Sequence, residues 1–277
     1  MKFTFSASAR LAPPVLNSVD PALPAAHQAR VYRMDLVTAL NHAHSSHELL
    51  LPLTLSREKI MSTVRCLLLM LVLTASPAQA AQAEQVILFL GDSLTAGLGV
   101  EPEQAYPRLL GDMLIKEGMT GVRIVNGGLS GSTSASALSR LQWYDKKIRP
   151  SLLFLALGAN DGLRGLTLAE MEKNLTEVIN AARERGMHII LAGMELPPNY
   201  GDEYTGRFRQ VYRGLAARYG ITLIPFLLEG VGGVAGLNQA DGIHPNAEGH
   251  QHIARHVYPV LRRSLDEILA QQQKKQP

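Results

Sequence analysis

Five short runs rich in branched apolar residues, at 86–90, 122–125, 152–157, 188–192 and 221–224, recur with helical patterns between them. The intervening patterns cover 106–116, 135–144, 168–185, 204–219 and about 247–270. Apolar runs that alternate with amphipathic segments are the signature of strands and crossover helices built around a parallel sheet. Pro102, Pro107, Pro150, Pro197, Pro198, Pro225 and Pro245 fall at or near the edges of these segments, where a missing N–H does no harm. The expected class is therefore α/β, with five parallel strands covered by helices on both faces. In such sheets ligands gather at the carboxyl ends of the strands.

The first eighty residues read differently. Met61, Arg65, the apolar run 66–73 and the small-residue sites Ala78-Gln79-Ala80 and Ala81-Gln82-Ala83 form a secretory signal-peptide pattern, too short to span a bilayer. A signal peptide belongs at a start codon. Met61 is thus expected to be the initiator, and residues 1–60 an upstream extension, either disordered or the product of a misassigned start. The cluster His42, His44 and His47 leaves a metal-binding or regulatory prefix as the other reading. The expected organisation is 1–60 extension, 61–83 signal peptide and 84–277 folded domain, exported to the periplasm or secreted, with no stable membrane insertion once the signal is removed. The single cysteine, Cys66, lies within the signal segment, so stability must come from one packed core without disulfides.

Charge adds an exclusion. Of 27 Lys and Arg, 7 lie in residues 1–80, as do 4 of the 24 Asp and Glu, leaving 20 of each sign in 81–277. A neutral domain gives no electrostatic footprint for nucleic acid.

Residues with chemistry gather where a parallel sheet would put a ligand. Gly91-Asp92-Ser93-Leu94 follows the first run, residues 126–134 the second, Gly158-Ala159-Asn160-Asp161 the third, and Asp241 and His244 close the last glycine-rich loop. A serine hydroxyl needs a neighbouring base, and an imidazole serves best near neutral pH. Ser93 is a nucleophile candidate, although a strand-to-helix turn also favours serine as a helix N-cap. His244 is the candidate base, and Asp241, three residues earlier, can hold its other ring nitrogen. Attack on an acyl carbonyl creates a negative oxygen that preorganised donors stabilise. Three candidates are the backbone N–H of Ser93, the N–H of Gly131 and the side-chain amide of Asn160, although Gly131 also fits a plain turn. Asp92 and Asp161 flank these positions as helix-start caps or supports rather than as an acid–base pair.

With Ser93, Gly131, Asn160 and His244 in this chain order, residues 84–270 resemble the SGNH or GDSL hydrolase superfamily. Stretches 126–134, 157–166, 196–201 and 241–246 are similar to its periplasmic multifunctional acyl-CoA thioesterase, lysophospholipase and arylesterase branch. The resemblance implies a three-layer α/β/α sandwich of flavodoxin-like topology and a serine hydrolase of carboxylic esters and thioesters. It makes Ser93, Asp241 and His244 the triad and Ser93, Gly131 and Asn160 the oxyanion donors. It further implies a mobile loop at 162–167, in which Gly162 and Gly165 would let Leu163 swing. Leu129, Leu163, Leu166, Leu196 and Pro197 would then form an acyl-chain wall. No metal or cofactor is implied, and the expected partner is a small acyl ester or thioester met by a monomer. The chain departs from the pattern at Ser132, where the superfamily branch has Asp.

The rival readings are weaker. An α/β-hydrolase elbow would need glycine at Thr95. The glycines of 230–235 open no helix for a nucleotide. His252 and His256, with His250 nearby, lack the remaining ligands of a zinc site and read as a solvated helix face. A non-catalytic module on the same fold, and a short-chain or carbohydrate acetylesterase with the same triad, are the alternatives in function.

Overall fold

This computed structural model describes Met61 and residues 84–275. The expected extension at 1–60 and nearly all of the expected signal segment at 61–83 lie outside the described residues, as do their histidines and Cys66. Five strands form one parallel sheet: β1 Gln85–Gly91, β2 Val122–Asn126, β3 Leu152–Ala156, β4 His188–Ala192 and β5 Thr222–Ile224. Their order across the sheet is β2-β1-β3-β4-β5, the flavodoxin-like order. β1 lies second from one edge and pairs with both neighbours, Phe89 facing Asn126 on one side and Phe154 on the other.

The strand residues explain these places. β1 and β3 are buried at every position, as continuous apolar runs in a doubly covered sheet should be. The edge strands β2 and β5 are only partly buried, and β2 carries the exposed Arg123.

Longer helices fill the crossovers: α2 Tyr106–Lys116, α3 Ala137–Ile148, α5 Leu168–Glu184, α6 Asp202–Tyr219 and α7 Ala247–Lys275. α2 packs with α7, while α5 packs between α3 and α6, giving helices in two layers about the sheet. In the core Phe89 stacks on Phe154 with ring centroids 4.5 Å apart, and the Tyr106 ring meets Phe89 edge-on at 5.8 Å. Such pairs add about 0.5–1.5 kcal/mol each beyond the burial of their area.

Helix boundaries differ most from the sequence reading at α3, α6 and α7, with α6 starting two residues earlier, at Asp202. α3 starts two residues later because Ser134–Ser136 forms a 3-10 turn, and it runs on to Ile148, where Arg149 turns the chain with φ 44° ahead of Pro150. α7 continues to Lys275 and carries Pro259 within it. Two short helices, α1 Ser93–Ala96 and α4 Ala159–Leu163, follow β1 and β3 directly. Neither has the length for a periodic pattern to show.

Candidate active site

The apolar run of β1 ends at Gly91, and the chain turns at once into α1. Asp92 is the cap of this helix, its Oδ1 accepting the Leu94 N–H at 3.0 Å. The cap reading therefore belongs to Asp92, and Ser93 is the first helical residue. Ser93 is 8% exposed, at the carboxyl edge of a strand that does not move independently of the sheet.

The Asp241–His244 loop meets it from the far end of the chain. His244 Nε2 lies 2.9 Å from Ser93 Oγ, and His244 Nδ1 lies 2.7 Å from Asp241 Oδ2. Asp241 Oδ1 accepts the backbone N–H groups of Ile243 and His244 at 2.9 and 3.0 Å. The His244 N–H and side chain, followed by the Ile243 N–H, draw the Asp241 carboxyl down to about 2, although its side chain is 46% exposed. Hydrogen bonds to the ionised form, rather than burial, keep this carboxylate charged. A carboxylate at Nδ1 favours the tautomer with a proton there, which leaves the Nε2 lone pair for the serine proton.

Asn160, on α4, points its amide at the same place. Its Nδ2 donates to the Ser132 carbonyl at 3.0 Å and lies 3.4 Å from Asp92 Oδ2. These contacts join the two outlying motifs to Asp92, the neighbour of Ser93. Gly131 takes φ 75°, a left-handed conformation that a plain turn and an inward-pointing amide would both use. Its loop is pinned to the end of β1: Leu129 N donates to Gly91 O at 3.1 Å, and the Arg140 guanidinium donates to the carbonyls of Gly91 and Gly127. Gly128 permits the close approach, since a Cβ there would sit 2.2 Å from the Ala96 nitrogen.

The two further acids have separate roles. Burial lifts the Asp92 carboxyl to about 6, partly offset by the Leu94 N–H and by His244. Asp161 does not cap α4, whose cap is Gly158; it reaches back to Ser134 instead. Ser132, the position at which the sequence departs from the expected pattern, is buried and contributes its carbonyl to Asn160.

The 162–167 segment is tethered. Tyr200 OH donates to Leu163 O at 2.8 Å, Tyr204 OH to Leu166 O at 3.2 Å, and Arg164 Nη2 to Gly131 O at 3.0 Å. Gly162 is no hinge, because it belongs to α4 and packs against Leu196 and Phe208. Among the proposed wall residues, Leu129 and Leu166 are exposed, as is Pro197, while Leu163 is half-buried. Leu196 is a core residue beneath Gly162. No spacing pattern marks Arg140, Tyr200 or Tyr204, because long polar side chains acting on backbone carbonyls leave no motif.

The His250, His252 and His256 group is only partly solvated, with His252 and His256 half-buried. His250 is buried and accepts from Tyr106 N at 3.3 Å, and half-buried His256 places Nε2 3.1 Å from Phe226 O. Among the described residues no three His, Cys, Asp or Glu side chains are grouped to hold a metal ion. Residues 230–234 form turns, followed by the 3-10 segment Ala235–Leu237.

A fold that delivers a serine, a histidine and an acid to one edge of a flavodoxin-like sheet, beside a glycine loop and an asparagine amide, defines a class of serine hydrolases. The chain belongs to the GDSL-like lipase/acylhydrolase family, whose pattern matches residues 89–252. It is 43% identical over 180 residues to the esterase TesA of Pseudomonas aeruginosa, covering 65% of this chain and 89% of that one. It is 37% identical over 198 residues to the arylesterase of Vibrio mimicus, covering 72% and 98% respectively. It is 36% identical over 174 residues to the thioesterase 1/protease 1/lysophospholipase L1 of Escherichia coli strain K12, covering 63% and 82%.

Proposed function

We propose that this hydrolase cleaves carboxylic esters and thioesters through an acyl-enzyme, with Ser93 as nucleophile, His244 as general base and acid, and Asp241 as the group that orients and charges the imidazole. The observation that carries the reading is the continuous line Ser93 Oγ, His244 Nε2, His244 Nδ1, Asp241 Oδ2, with separations of 2.9 and 2.7 Å. As Ser93 Oγ bonds to the acyl carbon, its proton passes to Nε2. The carbonyl oxygen becomes an anion, received by the N–H groups of Ser93 and Gly131 and by the Asn160 amide. The Asn160 hydrogen facing Asp92 at 3.4 Å is the more weakly held of its two and is the one to be redirected. The tetrahedral centre then expels the alcohol or thiol, which takes the proton from His244. Water, deprotonated by the same nitrogen, attacks the acyl carbon, and the acid leaves with Ser93 restored.

Leu129, Leu163, Leu166 and Pro197 border the acyl chain in this reading, with Leu196 supporting them from below. The esterase, arylesterase and thioesterase/lysophospholipase names of the similar chains support acyl substrates of more than one leaving group. Export to the periplasm or beyond rests on the 61–83 sequence pattern, and cell fractionation with N-terminal sequencing of the mature protein tests it.

Labelling by a fluorophosphonate is expected at Ser93, and Ser93→Ala is expected to abolish both labelling and turnover. A Ser93→Ala protein with wild-type turnover removes the mechanism. A panel of acyl lengths on one leaving group separates substrates: hydrolysis confined to acetyl esters favours a carbohydrate acetylesterase instead.

A further inference from the structure

Asp241, Gly242 and Ile243 are exposed and His244 is half-buried, so apolar burial does little to hold the loop that carries acid and base. Its register relative to Ser93 depends on polar contacts. Gln239 makes the contacts that reach both sides. Its Nε2 donates to Leu98 O at 2.7 Å and to Pro245 O at 3.0 Å, and its backbone N–H donates to His244 O at 2.8 Å. Leu98 N in turn donates to Ser93 O at 3.1 Å. One side-chain amide thus joins the turn that follows the nucleophile to the peptide that follows the base.

Gly99 supplies a second, independent observation. A Cβ at this position would lie 2.2 Å from Gln239 Oε1 and 2.7 Å from its Nε2. The backbone beside the nucleophile's turn is shaped to admit this amide.

We infer that Gln239 is a positioning residue, whose amide holds Ser93 Oγ and His244 Nε2 within hydrogen-bonding reach of each other. The inference rests on the roles proposed above for those two residues. Both N–H groups of the planar amide are committed, so it fixes two carbonyls from distant parts of the chain relative to one another. Without it each carbonyl turns to water and the exposed loop is free to slide. A displacement of about 1 Å at a reacting pair costs about 100-fold in rate.

Gln239→Met keeps the length of the side chain and removes the amide. With a short-chain p-nitrophenyl ester, kcat and the rate of fluorophosphonate labelling at Ser93 are expected to fall together by about 10- to 100-fold, with KM within about 2-fold and little change in Tm. Gly99→Ala keeps Gln239 and sets a methyl group against its amide, and because Gly99 takes φ 82° it also strains the same turn. It is expected to reproduce the loss, and the double variant is expected to be no slower than the slower single one, because both act on one contact. Wild-type kcat and labelling in folded Gln239→Met overturn the inference. So do losses that multiply in the double variant, or that vanish when rates are normalised to the folded fraction. If Gln239→Met does not fold, wild-type kcat in Gly99→Ala overturns it. Labelling that persists in Ser93→Ala sinks the proposed mechanism itself, whereas a silent Ser93→Ala beside an unimpaired Gln239→Met removes only the role of Gln239.

Discussion

Asp161 holds Ser134 twice, accepting its backbone N–H at 2.8 Å and its hydroxyl at 2.5 Å, with all three groups buried. Asp161 follows Asn160 in sequence and Ser134 lies three residues after Gly131, so this pair fixes the two outlying oxyanion candidates to each other. Asp161→Ala is expected to lower kcat by about 10- to 100-fold with little change in KM. It also strands the Ser134 N–H, at a cost of about 1–3 kcal/mol. Steady-state kinetics and urea unfolding check both parts.

Within the proposed triad, Ser93→Ala and His244→Ala should each reduce kcat by about 10⁴-fold or more, and the double variant should be scarcely worse, since the two residues act as a unit. Multiplicative losses measured on one ester would show that they do not share a step.

Two buried groups near the site oppose each other as pH changes. Burial, with His244 nearby, depresses His250 from 6.5 to about 4, so between those values the unfolded chain binds the proton and acidification weakens the fold. Burial raises Asp92 from 3.8 to about 6, so over nearly the same range the folded chain binds the proton and acidification strengthens the fold. His250→Gln is expected to gain stability from pH 6 to pH 4 relative to the parent, and Asp92→Asn to lose it. Urea midpoints at pH 4, 5, 6 and 7 measure the two slopes, and parallel curves for parent and variants would reject the coupling.

The wall residues should separate by burial. Leu196→Ala opens a cavity in the core and is expected to cost about 2–5 kcal/mol, visible in unfolding. Leu129→Ser and Leu166→Ser change exposed positions and should leave stability nearly unchanged. Their effect is expected in the KM of long-chain esters and not in that of acetyl esters, and equal KM changes at every chain length would place the acyl chain elsewhere.

The strands were legible because β1, β3 and β4 are buried on both faces and their sequences are uninterrupted apolar runs. β2 and β5 were found on weaker patterns, since edge strands bury less, while the ends of β1 and β3 were off by one residue just as theirs were. Ser93, Asn160, Asp241 and His244 stood out because reactive side chains occurred after successive strands, and that regularity is a property of the fold. Asp161 stood out only as a cap or support, without its partner Ser134, and Arg140 and Gln239 did not stand out at all. Their work is done on backbone groups brought close only by the finished structure, so no local spacing records it.

The helix that opens with Ser93 grows from a buried strand paired on both sides, whereas Asp241 and His244 ride on a solvent-washed loop fastened by a few polar links. Those two halves need not fail together. Gentle denaturant should detach the loop while the sheet stays whole, so catalysis dies early, spectroscopic signatures of the native fold persist, and dilution brings the activity back.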